Sequence, residues 1–314
     1  MMRSRAGSAV FLVIGLGTIL AFVYYLHSNW GAYSKLLRIS LIPVALILTA
    51  TSVSSYINGL ITVFLYKGLG IVLPLREGFF LASVSTLANQ LPVSGGMMTR
   101  ALYLKHKHDL SYTKFISTSL ALYFCFVSAN GFIGMLTLIC LYLFSGANIP
   151  VALTLGFLLM SCSVLSFMIP VERITAPGTL QHRLIQVLEG WRILGKQPVM
   201  LGRILALQTL LMLLLAIRYW LAFQMLSQEI SMAHALLFSS ASVLTQLVSI
   251  APGGLGVTEA IVAGVATLLG FDTGVSVIAV GLDRLISTLI IVFVGGISVL
   301  ALGHQSSESR SEEL

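Results

Sequence analysis

From Phe115 to Phe144 the chain runs without one charged side chain, and stretches of the same kind recur along its whole length. An apolar run that long cannot lie on the surface of a water-soluble fold. As a helix rising ~1.5 Å per residue, it matches a hydrocarbon layer of ~30 Å with length to spare. Composition agrees: charged residues are 9% of the 314 and apolar residues 57%, against roughly 25% charged in an ordinary soluble domain. The expected fold is an all-α integral membrane protein, with residues 1–303 as one polytopic domain and a polar, disordered tail over 304–314.

Six full spans are expected near Ser8–Leu26, Ile39–Leu65, Phe115–Phe144, Val151–Ile169, Arg203–Leu226 and Gly274–Leu302. The first follows Met1-Met2-Arg3-Ser4-Arg5 and is too long for a cleaved leader, so it reads as an uncleaved span. Two further apolar regions are interrupted. Gly78–Leu91 meets Pro92-Val93-Ser94-Gly95-Gly96 and resumes as far as Lys105-His106-Lys107-His108-Asp109; Ala233–Ala251 meets Pro252-Gly253-Gly254-Leu255-Gly256 and resumes as far as Gly270-Phe271-Asp272. Proline removes a backbone donor and glycine admits positive φ, so both are breaks in helix. Bare non-helical backbone is not tolerated in lipid. The two regions are therefore read as re-entrant helical hairpins, the alternative being Pro-kinked single spans.

Loop charge decides between these readings. With two hairpins, the loops Tyr66–Glu77, Lys105–Lys114 and Val171–Gly202 fall on one side and carry Lys67, Arg76, Lys105, Lys107, Lys114, Arg173, Arg183, Arg192 and Lys196. The loops Ser145–Pro150, Ser227–Met232 and Phe271–Thr273 fall on the other and carry no Lys or Arg. One loop disagrees, His27–Arg38, which holds Lys35 and Arg38 on the sparse side. The positive-inside rule places the basic side, and with it both termini, in the cytoplasm, with a cell (inner) membrane as the site. It also accounts for the +7 net charge without a nucleic-acid partner. The hairpins then enter from opposite sides, as in an inverted-repeat transporter. The stretch Val171–Met200, basic and punctuated by Pro177-Gly178 and Pro198, is either an interfacial helix or a plain connector.

Ionisable groups at membrane depth cost roughly 2.5–3.5 kcal/mol each on insertion, so they mark either helix-pinning pairs or a functional site. Five stand out: Arg100 and Glu259, each a turn past a glycine break; Asp283 and Arg284 inside the last span; and Arg218 inside the fifth. Asp283 and Arg284 are adjacent and point ~100° apart, so they must face different parts of the bundle. Arg100, Glu259 and Arg284 are expected to face one internal cavity, with Arg100–Glu259 as one such pair, and Arg218 could instead snorkel to a membrane face. The breaks themselves (Pro92, Gly95, Gly96, Pro252, Gly253, Gly254, Gly256) precede helix N-termini whose free N–H groups suit a phosphate. No metal or cofactor is expected. Cys125, Cys140 and Cys162 lack ligand spacing, and His106-Lys107-His108-Asp109 reads as a solvated loop.

Two blocks carry a family resemblance. Asn89-Gln90-Leu91-Pro92-Val93-Ser94-Gly95-Gly96-Met97-Met98-Thr99-Arg100 resembles the Asn-x-x-Leu-Pro-x-x-Gly-(acidic)-x-x-Arg motif of the lysylphosphatidylglycerol synthetase transmembrane, or flippase-like, proteins. Pro252-Gly253-Gly254-Leu255-Gly256-Val257-Thr258-Glu259, followed by Asp283-Arg284, is similar to their second motif. The chain departs from the pattern at Gly96-Met97, where the family is acidic, and at Leu120-Ala121-Leu122-Tyr123, where it often has Glu-Arg. The resemblance implies movement of a lipid or lipid-linked head group between leaflets without nucleotide hydrolysis. The membrane part alone is implied, with no counterpart of the soluble aminoacyl-transfer domain and no enzymatic activity. Anionic or polyprenyl-linked lipids are the expected partners, together with a synthase subunit or a second copy. Two alternatives stay open: a membrane-embedded enzyme acting on lipid phosphates, and a non-transporting subunit of a lipid or polysaccharide synthase.

Overall fold

The computed structural model describes residues 40–90, 95–146, 148–163, 165, 194–246, 254 and 256–312, and side chains as far as Leu302. The expected first span, the loop His27–Arg38, the stretch from Val171 to Ile193, and Pro92, Pro252 and Gly253 lie outside the described residues. Nine α-helices are described: α1 Leu41–Gly68, α2 Leu75–Ala88, α3 Gly95–His108, α4 Tyr112–Ser145, α5 Val151–Cys162, α6 Pro198–Met225, α7 Met232–Ser242, α8 Val257–Leu268 and α9 Thr273–Glu312. Four are long and apolar enough to cross a membrane: α1, α4, α6 and the Thr273–Leu302 part of α9. Their outer faces carry large apolar side chains such as Phe132, Phe144, Leu285 and Phe293, while Glu77, Glu259 and Asp283 are buried. That is the reverse of a water-soluble distribution, and it suits a lipid solvent. Several buried hydroxyls satisfy themselves on their own helix, as Thr51, Thr62 and Ser85 do by donating to carbonyls four residues earlier.

Both interrupted regions are hairpins. At the open end of the first, Glu77 at the start of α2 lies 2.8 Å from His108 at the end of α3. At the open end of the second, the His234 ring at the start of α7 sits 4.9 Å from Phe271, just past α8. In each case the chain returns to the side it left. With 14 residues, α2 is ~21 Å long, too short to cross ~30 Å of hydrocarbon.

The hairpins also open at opposite ends of the bundle. Gln197, which precedes α6, donates to the carbonyl of Gly68 at the end of α1 (2.8 Å). The start of α6 therefore lies at the end where the first hairpin opens. Helix α6 then runs 28 residues, ~42 Å, to the end where the second begins. Lys67, Arg76, Lys105, Lys107, Lys114, Lys196 and Arg203 gather at the first of these, the basic end. The loops described at the far end carry Glu229 and Asp272 and no Lys or Arg. One apolar core surrounds each hairpin: Ile57, Leu81, Leu104 and Phe115 about the first, Phe223, Phe238, Val262 and Ala279 about the second.

Small residues let the backbones close up, as membrane helices require. A Cβ at Gly59 would lie 2.9 Å from Phe79 Cα, one at Gly131 2.4 Å from the Ser161 backbone, and one at Gly295 2.7 Å from Leu87 Cβ. These approaches seat α1 on α2, α4 on α5 and α9 on α2. Two expectations need correction. Helix α3 includes the segment read as a solvated loop, because nothing in Lys105-His106-Lys107-His108 breaks a helix and its charges suit a helix C-terminus. Helix α9 continues to Glu312, through the residues read as a disordered tail, because no proline follows Leu302 to stop it.

Candidate functional site

The tips of the two hairpins reach one cavity of about 190 Å3. Gln90, at the tip of the first, and Thr258, in the first turn of α8, both line it, with Arg218 and Tyr219 from α6 and Asp283 and Arg284 from α9. The local chain shapes each tip differently. At the first, Gly95 and Gly96 are needed for close approach: a Cβ would lie 2.2 Å from the carbonyl oxygens of Ala88 and Ser85, respectively. That approach lets Asn89 Oδ1 accept from the Gly96 N–H (3.0 Å), satisfying a donor at the start of α3. At the second, Gly254 and Gly256 have φ of +71° and +80°, where side chains are strained.

Two ion pairs occupy the site. Arg218 meets Asp283 in a fork, Nε to Oδ1 and Nη2 to Oδ2, both 2.7 Å. Arg284 Nη1 donates to Glu259 Oε1 at 3.0 Å and Oε2 at 3.4 Å, while its Nη2 donates to Thr258 Oγ1 at 3.0 Å. Glu259 is doubly used, since its Oε2 also accepts from the Gly256 N–H (2.8 Å) at the head of α8, where a carboxylate complements the helix dipole. Asp283 and Arg284 do face different helices, α6 and α8. Tyr219 donates to Ser242 Oγ (3.1 Å), which itself donates to Phe238 O, and Tyr123 donates to the carbonyl of Val243 (2.9 Å). These bonds tie α6 and α4 to the tip of the second hairpin.

Of the five charges singled out in the sequence, Arg218, Asp283 and Arg284 line the cavity, and Glu259 meets Arg284 beside it. The partner of Glu259 is Arg284 rather than Arg100, and Arg218 turns inward to Asp283 instead of snorkelling. Arg100 does not line the cavity; its Nε is buried without a hydrogen-bond partner among the described residues. Gln90, Tyr219 and Thr258 were missed, because an uncharged polar residue gives no cost signal at membrane depth. No group of three potential metal ligands occurs among the described residues.

Comparison with known proteins places this architecture. The Lysylphosphatidylglycerol synthase TM region family model matches residues 10–295. The chain belongs to that family. It is a multi-pass membrane protein, as the long apolar helices require. A UPF0104 membrane protein of Pyrococcus horikoshii is 33% identical over 84 residues, 27% of this chain and 25% of the relative, so the chain matches only a quarter of that relative's length. No solved structure matches the chain.

Proposed function

We propose that this protein moves the head group of a membrane lipid, anionic or polyprenyl-linked, between leaflets without nucleotide hydrolysis. The observation that carries the reading is a charged cavity reached by both hairpins, which open at opposite ends. A site at the meeting of oppositely oriented broken helices can be exposed to either side by small movements of each. Its ~190 Å3 is below the ~300–1,000 Å3 of whole-ligand pockets, which suits a head group whose acyl or prenyl chains stay in lipid.

The charges suit exchange. The Arg218–Asp283 fork is bidentate and short, the strongest geometry for such a pair. Arg284 holds Glu259 through one nitrogen and keeps a hydroxyl partner in Thr258. A phosphate can therefore take the place of Glu259 on Arg284 while Glu259 stays held by the Gly256 N–H. In this reading the basic end faces the cytoplasm. An enzyme acting on lipid phosphates would want a free carboxylate or a nucleophile beside an arginine. Both carboxylates here are held by arginines, which favours translocation.

The test is reconstitution into liposomes with head-group-labelled lipids. The purified protein is expected to exchange one lipid class between leaflets, and Arg284→Gln, still folded, to lower the rate at least ~tenfold. Release of phosphate from the lipid would turn the assignment to the enzyme. Exchange of no class tested would overturn it.

A further inference from the structure

Three acidic side chains are buried among the described residues, and one of them, Glu77, is nowhere near the central pairs in the chain's hydrogen-bond network. It lies where the first hairpin opens, as the third residue of α2. Its Oε1 accepts from the Tyr103 hydroxyl (2.8 Å), faces His108 Nε2 (2.8 Å) and lies 3.2 Å from Lys107 Nζ. Lys107 in turn donates to the Tyr103 oxygen (3.1 Å). All three partners sit on the last turns of α3. Burial alone would push the Glu77 carboxyl up; the bonds from His108, Tyr103 and Lys107 outweigh it and hold the group below the usual carboxylate range, so it stays ionised near neutrality.

The two arms of this hairpin are anchored unequally. Helix α2 is seated on α1 at Gly59 and Gly78, and on α9 at Gly295. Helix α3 has only Gly96 and Leu104 buried, packs on α2 and touches α4 lightly among the described residues. Its hydrogen bonds to other described elements lie at two places, the Asn89–Gly96 bond at the tip and the Glu77 cluster at the base, with apolar packing about Leu104 between them. With the base released, only the tip bond and that apolar packing hold α3 in place.

We propose that Glu77 is a latch: by holding Tyr103, Lys107 and His108 it keeps α3 against α2 and closes the central cavity toward the basic end. The proposal rests on the reading of that cavity as the working site, but its test needs no lipid movement. Cys125, Cys140 and Cys162 are replaced by Ser, Gln90→Cys is introduced at the cavity wall, and labelling by a membrane-impermeant thiol reagent is timed from the basic side in proteoliposomes. Glu77→Gln is expected to speed labelling on the order of tenfold or more, the scale of losing a charge-assisted cluster. Tyr103→Phe, which removes one donor and little volume, should speed it less, and it carries the test if Glu77→Gln does not accumulate. Lys105→Gln breaks only the exposed Lys105–Asp109 pair and should leave the rate unchanged. Equal rates in the parent, Glu77→Gln and Tyr103→Phe proteins would overturn the latch, as would a rise in Lys105→Gln matching that in Glu77→Gln. Loss of leaflet exchange with the labelling differences intact would count against the transport reading alone.

Discussion

Asp283→Asn is expected to cost the protein its folded state as well as its activity. The carboxylate is 3% exposed and meets Arg218 through two bonds of 2.7 Å, tying α9 to α6. No other hydrogen-bond partner of the Arg218 guanidinium is seen among the described residues. Asparagine keeps the shape but leaves a buried cation without its counter-charge, a loss of typically ~3–5 kcal/mol. Folded proteins have only ~5–15 kcal/mol to lose. The detergent-solubilised variant should therefore melt well below the parent and accumulate poorly. Removing both charges together, as Arg218→Met with Asp283→Leu, should restore much of that stability, because a buried pair is often no better than well-packed apolar groups. The same logic predicts a milder loss for Glu259→Gln. Arg284 keeps Thr258, and the new amide oxygen can still accept from Gly256. Parent-like melting of Asp283→Asn would show that the fork does not hold α6 to α9.

Gly96→Ala is expected to be nearly as damaging, though it adds a single methyl group. The new Cβ would fall 2.2 Å from the Ser85 carbonyl oxygen and 2.4 Å from Asn89 Oδ1. One is backbone of α2; the other is the atom that accepts from Gly96 itself. Relief means prising the tip of the first hairpin apart and giving up that bond. Overpacking costs ~1–3 kcal/mol and a lost helix cap ~1 kcal/mol, so the sum is roughly 2–4 kcal/mol. Gly264→Ala in α8 is the matched control, because its Cβ would meet nothing within 4 Å. There the change should be neutral or stabilising by ~0.5–1 kcal/mol. Thermal melts of the two variants beside the parent separate these outcomes, and equal melting temperatures would mean that the tip has room to spare.

Much of this architecture was legible because lipid makes errors expensive. Long apolar runs gave α1, α4, α6 and α9, and the asymmetry of loop charge pointed to the hairpins. The cost of ionisable groups at depth picked out Arg218, Glu259, Asp283 and Arg284. Pairing was another matter. Helical geometry says that Asp283 and Arg284 diverge, but which neighbour each meets depends on how α6 and α8 are rotated and set in depth. Nothing in the chain spacing of Arg100 and Arg284 says which of them meets Glu259, and the structure gives Arg284.

Glu77 was passed over because it follows Arg76 in a loop rich in charge. A signal was available: Pro74 starts a helix that puts Glu77 in its first turn, and Tyr103, Lys107 and His108 lie at i, i+4 and i+5 of one helical arm. Reading Lys105–Asp109 as loop hid it. The glycines of the two breaks looked alike in sequence yet act differently. Gly95 and Gly96 are needed for backbone contact, Gly254 and Gly256 for positive φ, and only coordinates distinguish the two.

The central claim is that two hairpins enter from opposite sides and close on one cavity. Single cysteines at Lys67 and Lys107 bracket the first hairpin, and those at Glu229 and Thr273 bracket the second; all four positions are exposed. In a cysteine-free parent, membrane-impermeant thiol labelling from each side of the membrane decides the matter. The account predicts that 67 and 107 react from one side only, and 229 and 273 from the other only. Reaction of 67 and 107 from opposite sides would make the first hairpin a kinked span and contradict it, and the same division between 229 and 273 would do so for the second.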